Sequence, residues 1–479
     1  MQKTISKYGL AAHLALLAVA PLFLFPFCGS VWTARTLLWL SLSAAVWTFV
    51  APSCRKDEMP HDARARVASS IFVDPLFWFS VVLVLFAVVR WLNVGVAMVY
   101  DAEAKAWALA GPDAAFLPGS VEGAGALPAA TAVAATVLMQ SCRHALGKSA
   151  RVCFLFAGAF LAGVAAFSAA VACACGHARA LALAACPIED ATYAGTAFGL
   201  HFMGSMVATA CSFERKWQKV MPLLAIGISG CAVGLYLFAP EVTIMACAAG
   251  AVLVLLSGLA YAYVRVGVLS VPKILAFLIV VAIIPTLFIA GVVPDAIKDL
   301  RFAGLVESGR VFADRLVESR AVLSGIAAKV WKESPWLGTG VGSFALDIGF
   351  NATEADWAAI ASRQATALNG WWQMLAERGI VGTLLFAVPV LFLVWTYLAR
   401  LSALVAQAVR RRRLSVVLPV HPCCVVGPLA VALVVACGFC DCAFMRPETS
   451  LAAASMFAMA GSAFPAVREK AGDEAETEK

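Results

Sequence analysis

The sequence predicts an all-α, polytopic membrane protein, and three observations carry that expectation. Of its 479 residues, 62% are hydrophobic and only 14% charged, too apolar a balance for an ordinary soluble domain. Apolar runs of roughly 17 to 25 residues, the length a helix needs to cross a bilayer, recur from end to end. Basic residues gather in every second loop between those runs, the pattern of cytoplasmic loops. Helices are the default spanning element because each must satisfy its own backbone polar groups. The ten-residue alternation of a membrane barrel is absent.

About twelve spans are expected, at 9–28, 32–51, 71–92, 128–146, 152–173, 196–212, 220–239, 242–263, 273–293, 380–399, 423–440 and 448–465. The first follows Lys3 and Lys7 without a small-residue cleavage site, so it reads as a retained helix rather than a signal peptide. Arg55, Lys56, Arg64 and Arg66 follow the second span, and Arg143, Lys148 and Arg151 the fourth. Arg215, Lys216 and Lys219 follow the sixth, Arg265 and Lys273 the eighth, and the run Arg410 to Arg413 the tenth. Both termini are therefore expected in the cytoplasm, with the loops 93–127, 174–195 and 294–379 on the outer side. The chain divides into spans one to nine (1–293), an outer segment (294–379), spans ten to twelve (380–467) and a charged tail (468–479) expected to be disordered.

The net charge of +7 is accounted for by those loops, so the expected partner is a lipid bilayer and not nucleic acid. The surroundings of Lys148 do not form a phosphate-binding glycine loop, which argues against an ATP-driven machine. No cofactor is expected, and no internal repeat is evident. None of the fifteen cysteines falls in the outer segment, and most lie in spans, where Cys behaves as a small apolar residue. Cys437, Cys440 and Cys442 cluster beside Asp441 without a histidine, so a metal site is not expected. A bridge from Cys186 to Cys173 or Cys175 is left open.

Chemistry is expected mainly in the outer segment, which holds nine Lys or Arg against ten Asp or Glu, and five tryptophans. Glu307 to Lys332 reads as an amphipathic helix, with Phe312, Leu316, Leu323, Ala327 and Val330 on one stripe. Arg320 falls on that stripe and needs a partner, either a carboxylate such as Asp314 or Glu318 or an anionic ligand. Pro335 should end the helix. Gly338, Gly340 and Gly342 then follow as a tight turn, serving turn geometry or bringing backbone N–H groups to a ligand.

The stretch from Arg320 to Gly382 resembles the O-antigen ligase and polymerase superfamily of bacterial envelope enzymes. The family's Arg, a Pro about fifteen residues on, and Gly-x-Gly-x-Gly-x-Phe are matched by Arg320, Pro335, Gly338, Gly340, Gly342 and Phe344. Its His-Asn pair followed by Glu-x-Gly-x-x-Gly is matched at Asn369, Glu377, Gly379 and Gly382. His201-Phe202-x-Gly204 is similar to an earlier family His-Phe-x-Gly, and Asp441 with Pro447 forms a weaker echo.

The resemblance implies transfer of a glycan from an undecaprenyl-pyrophosphate carrier to an acceptor hydroxyl on a lipid or glycan. The reaction, ligation or polymerisation, would take place at the periplasmic face of the bacterial inner membrane and without metal. Cations would stabilise the leaving pyrophosphate, and a positioned base would take the acceptor proton. On this resemblance His201, Asn369 and Glu377 are the candidate catalytic residues, and Arg320, Gly338, Gly340 and Gly342 the candidate substrate-binding residues. The sequence departs from the family where its base would stand, at Leu368, since leucine cannot accept a proton. Ala239-Pro240-Glu241 replaces a family Ser-Arg, and Phe198 and Leu200 replace asparagines. Two alternatives follow: a non-catalytic member that binds a polyprenyl-linked glycan or a partner enzyme, and a small-anion transporter. Transport would call for broken helices and charge near mid-bilayer, whereas most span centres here are uncharged.

Each candidate also has a plainer reading. His201 and His177 could be packing or loop histidines, and Asn369 and Glu377 a cap or a solvated helix face. Trp371 and Trp372 could be interfacial anchors, and Glu241 and Asp441 ordinary turn carboxylates.

Overall fold

The computed structural model describes residues 2–28, 30–50, 52, 59–103, 105–112, 114, 116–121, 133, 135, 144–146, 148–185, 190–212, 219–239, 241–266, 271–299, 311–360, 366–410, 422–440 and 447–461. Most of these are helical, and every expected span except 128–146, which lies largely outside the described residues, falls on a helix. The first helices are α1 (Gln2–Leu24), α2 (Ser30–Val50), α3 (Pro60–Phe72) and α4 (Pro75–Leu92). The central ones are α5 (Lys148–Ala174), α6 (Ala178–Ala185), α7 (Asp190–Ser212), α8 (Met221–Phe238), α9 (Glu241–Val266) and α10 (Val271–Val292). The polar stretch after α10 contributes α11 (Val311–Glu333), α12 (Phe344–Asn351) and α13 (Glu354–Ala359). The chain continues through α14 (Gly370–Arg410), α15 (Pro422–Cys440) and α16 (Pro447–Gly461).

Among the described residues, six helices are long and apolar enough to cross a bilayer, with three shorter apolar helices beside them. Helices of this kind are the signature of a membrane protein. Against an expectation of about twelve crossings, the described residues hold six helices that qualify on this measure. The basic residues Arg55, Lys56, Arg215, Lys216 and Arg411 to Arg413, which oriented the sequence-based topology, lie outside the described residues, as does the tail.

Two expectations are corrected. The chain is not wholly α: the loop after α4 carries an antiparallel hairpin of β1 (Ala97–Asp101) and β2 (Ala106–Ala110). The span expected from residue 71 is broken, because Asp74 caps α4 by accepting from the Leu76 amide at 3.1 Å and Pro75 takes the first helical position. Proline there loses no helical hydrogen bond, whereas it cannot continue α3. His144 Nε2 lies 2.9 Å from Asp74 Oδ2 and ties this break to the segment before α5.

The bundle core is built on small residues. α5 packs on α1 and α8, and α7 on α8 and α9. A Cβ on Gly163 of α5 would overlap the backbone of Gly227, and one on Gly230 would overlap Gly163. The two helices therefore touch backbone to backbone, as membrane helices do where small residues remove the side-chain spacer. A second, separate apolar cluster brings Leu323, Ile326, Ala327 and Val330 of α11 against Phe344, Ile348, Leu368 and Ala376. The expected stripe is thus buried at Leu323, Ala327 and Val330; the side chains of Phe312 and Leu316 lie outside the described residues.

Candidate functional site: a glycine turn locked against a helix kink

α11 ends at Glu333, ahead of Pro335, and the turn that follows is held in the left-handed region at Gly338 (φ 72°), Gly340 (φ 121°) and Gly342 (φ 82°). Only glycine adopts such angles at no steric cost. The turn packs on α14 where that helix kinks at Gly379 (φ 63°, ψ −171°). Thr339 N donates to Ala376 O at 3.0 Å and Gly340 N to Glu377 O at 3.1 Å. In return, Ile380 N donates to Pro335 O at 2.8 Å and Val381 N to Trp336 O at 3.1 Å. The two backbones pass so closely that a Cβ on Gly338 would overlap Glu377, and one on Gly379 would overlap Trp336. The two sequence motifs are thus one structure.

A third strand of chain completes it. Val341 N donates to Gly119 O at 3.1 Å and Val121 N to Val341 O at 3.1 Å. The 111–121 loop is shaped by Asn93, whose Nδ2 donates to the carbonyls of Ala114 and Leu117, each at 3.1 Å. At the end of α4, Arg90 reaches into the junction. Its Nη2 donates to Leu337 O at 3.0 Å and to Glu377 O at 2.6 Å. Phe86 covers the guanidinium, 4.9 Å from ring centroid to Cζ, a cation–π placement. Arg90 is only 2% exposed, yet its Nε and Nη1 have no hydrogen-bond partner. Its nearest charges are Arg378 and Glu377.

Around this crossing runs a buried polar chain. Gln373 Nε2 donates to Glu377 Oε1 at 3.1 Å, while Gln373 Oε1 accepts from Ala367 N at 3.1 Å. The Gly342 amide faces the Glu377 carboxylate. The Thr339 hydroxyl donates to Asp347 Oδ2 at 3.0 Å and lies 2.5 Å from Ser343 Oγ. Burial raises the Asp347 carboxyl above its ordinary value, an effect opposed by the hydroxyls of Ser343 and Thr339.

The candidate residues separate into two groups. Glu377, Gly338, Gly340 and Gly342 meet at the crossing. The amides of Gly338 and Gly340 are already engaged by Ser334 O and Glu377 O, so their part here is conformational. Asn369 caps α14, its Oδ1 accepting from the amides of Trp371 (3.1 Å) and Trp372 (3.3 Å). Leu368 is buried in the second apolar cluster with φ 49°, a left-handed conformation unusual for leucine. Arg320 is half-buried on α11, and its Nε is enclosed without a hydrogen-bond partner. The side chains of Asp314 and Glu318 lie outside the described residues.

His201 stands elsewhere, on α7 within the bundle. It is 1% exposed, and neither ring nitrogen makes a hydrogen bond of good geometry; the Ala18 carbonyl is the polar group beside it. No hydrogen bond joins His201 to Asn369 or Glu377 among the described residues. His177 stacks edge-on against Phe27 at 5.4 Å, and Trp371 packs on Phe386 and Phe439. The Glu241 side chain, Asp441, Cys186 and Cys442 lie outside the described residues. Cys173 and Cys175 are free thiols. Among the described residues no three His, Cys, Asp or Glu side chains converge as a metal site would require.

Arg90 was missed by sequence reasoning although a signal existed, a lone cation inside an apolar run. A scan of the chain against protein-family models finds no match, and a search of curated proteins finds none either.

Proposed function

We propose that this protein is an O-antigen ligase-like membrane glycosyltransferase that handles an undecaprenyl-pyrophosphate-linked glycan at the periplasmic face of the inner membrane. The observation that supports it most is the crossing itself. The two motifs that carry the family resemblance are separate in sequence and close on each other through reciprocal backbone bonds. Arg320, with an enclosed Nε lacking a partner, is the cation assigned to the pyrophosphate, and the carrier's polyprenyl tail lies against the apolar helices. Glu377 and Asn369 order the start of α14 beneath the glycan.

A second reading is favoured by one specific arrangement. Leu368 fills the base position with an apolar side chain packed into the cluster of Leu323 and Phe344, and His201 is enclosed in the bundle core. Both fit a member that binds the carrier-linked glycan, or a partner enzyme, without transferring it.

Deletion of the gene followed by inspection of envelope polysaccharide tests the first reading. An altered glycan is expected, restored by the wild-type chain and not by Arg320→Ala. An unchanged polysaccharide profile, in a strain with no replacement enzyme, removes the transferase reading. Leu368→His separates the two: transfer gained by this variant alone identifies a scaffold that has lost its base.

A further inference from the structure

We propose that the β1–β2 hairpin is a membrane-interface anchor, with the face formed by Met98, Tyr100, Trp107 and Leu109 seated in the headgroup layer beside α4. The inference rests on α4 being a membrane span and not on the glycan reading.

The register puts those four side chains on one face. Met98 stands opposite Leu109, and Tyr100 opposite Trp107. Directly paired residues share a face, and so do residues two apart. The opposite face carries the small or short side chains of Ala97, Val99, Asp101, Ala106, Ala108 and Ala110. The aromatic pair meets edge to face at 5.5 Å. Yet Tyr100 is 51% exposed and Trp107 57%, so the pair is not buried against the rest of the chain. An isolated two-stranded hairpin with an uncovered apolar face is marginal in water, which calls for an occupant.

Position identifies that occupant. On α4, Trp78, Val82, Leu85 and Leu92 are exposed, and their spacings of four, three and seven line one side of the helix. That stripe is the side a span turns to lipid. The hairpin begins five residues after Leu92, within about 17 Å of the end of α4 at full extension. Asn93 and Val96 are buried and fix its base. The apolar hairpin face is therefore tethered close to the lipid-facing stripe. Tyrosine and tryptophan, each with an apolar body and a polar edge, are the side chains that settle at the bilayer–water boundary. The charged groups near the strands, Asp101, Glu103 and Lys105, sit at the hairpin tip, where water or headgroups can solvate them. A sugar-binding platform would surround its aromatic rings with hydrogen-bonding side chains. Here their neighbours on the face are methionine and leucine.

The test uses the full chain reconstituted in phosphatidylethanolamine–phosphatidylglycerol vesicles that carry a diazirine at either a headgroup-proximal or a terminal acyl position. Cross-linked peptides are then mapped by mass spectrometry. The shallow probe should label the 97–110 peptide, and the deep probe should label α4 around Leu85 at least ~10-fold more than the hairpin. The Tyr100→Ser/Trp107→Ser variant should lose most hairpin labelling while α4 labelling stays unchanged. Absence of hairpin labelling where α4 is labelled overturns the proposal. So does loss of hairpin labelling on adding soluble glycan, or cross-linking of Lys105 between two copies that accounts for the face instead.

Discussion

The bundle and the motif crossing both bring backbones into direct contact through glycine, but on different terms. In the bundle, Gly163, Gly227 and Gly230 are ordinary helical residues whose missing side chains let α5 and α8 touch. At the crossing, Gly338 and Gly379 also hold left-handed φ angles, and the carbonyls around them are tied by hydrogen bonds. The bundle needs glycine only for space. The crossing needs it for space and for backbone conformation together, and it adds a buried guanidinium that a membrane core would avoid.

Substitutions that separate space from conformation sharpen this contrast. Gly379→Ala should have the largest effect. It combines a positive-φ extended conformation open essentially to glycine alone, about 1–3 kcal/mol, with overlap on the Trp336 backbone, about 1–3 kcal/mol. Thermal unfolding in detergent, followed by size-exclusion chromatography, should show little folded protein; a near-wild-type midpoint would dissolve the distinction. Arg90→Met comes next. It removes the donor to Leu337 O, leaves Glu377 O with the Gly340 amide alone and Glu377 with one less neighbouring cation, at about 3 kcal/mol. The loss should appear as early proteolysis within 311–360 while the bundle remains resistant. Equal sensitivity of both regions would mean that Arg90 does not act locally. Gly163→Ala, where only space is lost, should cost about 1–3 kcal/mol and lower the midpoint of the bundle without exposing residues 311–360.

The smallest effect belongs to Asp347. Because burial raises its carboxyl, the folded chain holds that proton more tightly than the unfolded chain does. The associated stability is fully present below the ordinary carboxylate range and is lost as pH rises through the raised value. Relative to Asp347→Asn, the wild-type unfolding midpoint should fall slightly over that interval. A wild-type midpoint that rises relative to the variant through the same window would reverse the assignment.

Much of the helical framework was legible in the sequence, because long uncharged runs leave a chain few other solutions. The stripe at Leu323, Ala327 and Val330 was legible by its period, and the end of α11 by Pro335. The capping role of Asn369 was visible as an alternative, since asparagine ahead of a helical run suits that position. The hairpin escaped because its strands, Ala-Met-Val-Tyr-Asp and Ala-Trp-Ala-Leu-Ala, are rich in alanine, a poor strand former. Arg90 escaped for a different reason. Its acceptors are main-chain carbonyls at Leu337 and Glu377, and no side-chain pattern announces them. That His201 makes no hydrogen bond to Glu377 among the described residues is likewise a tertiary fact that neither local motif encodes.

Arg90 also sets a schedule for biosynthesis. Its bond to Glu377 spans 287 positions of chain, so the guanidinium leaves the ribosome long before its acceptor exists. At about 5–20 residues per second, that interval is about 15–60 s. Through it the guanidinium of the nascent α4 lacks both of its main-chain acceptors. The crossing can therefore take its final form only once the start of α14 has emerged, which makes its closure a late event in the maturation of the chain.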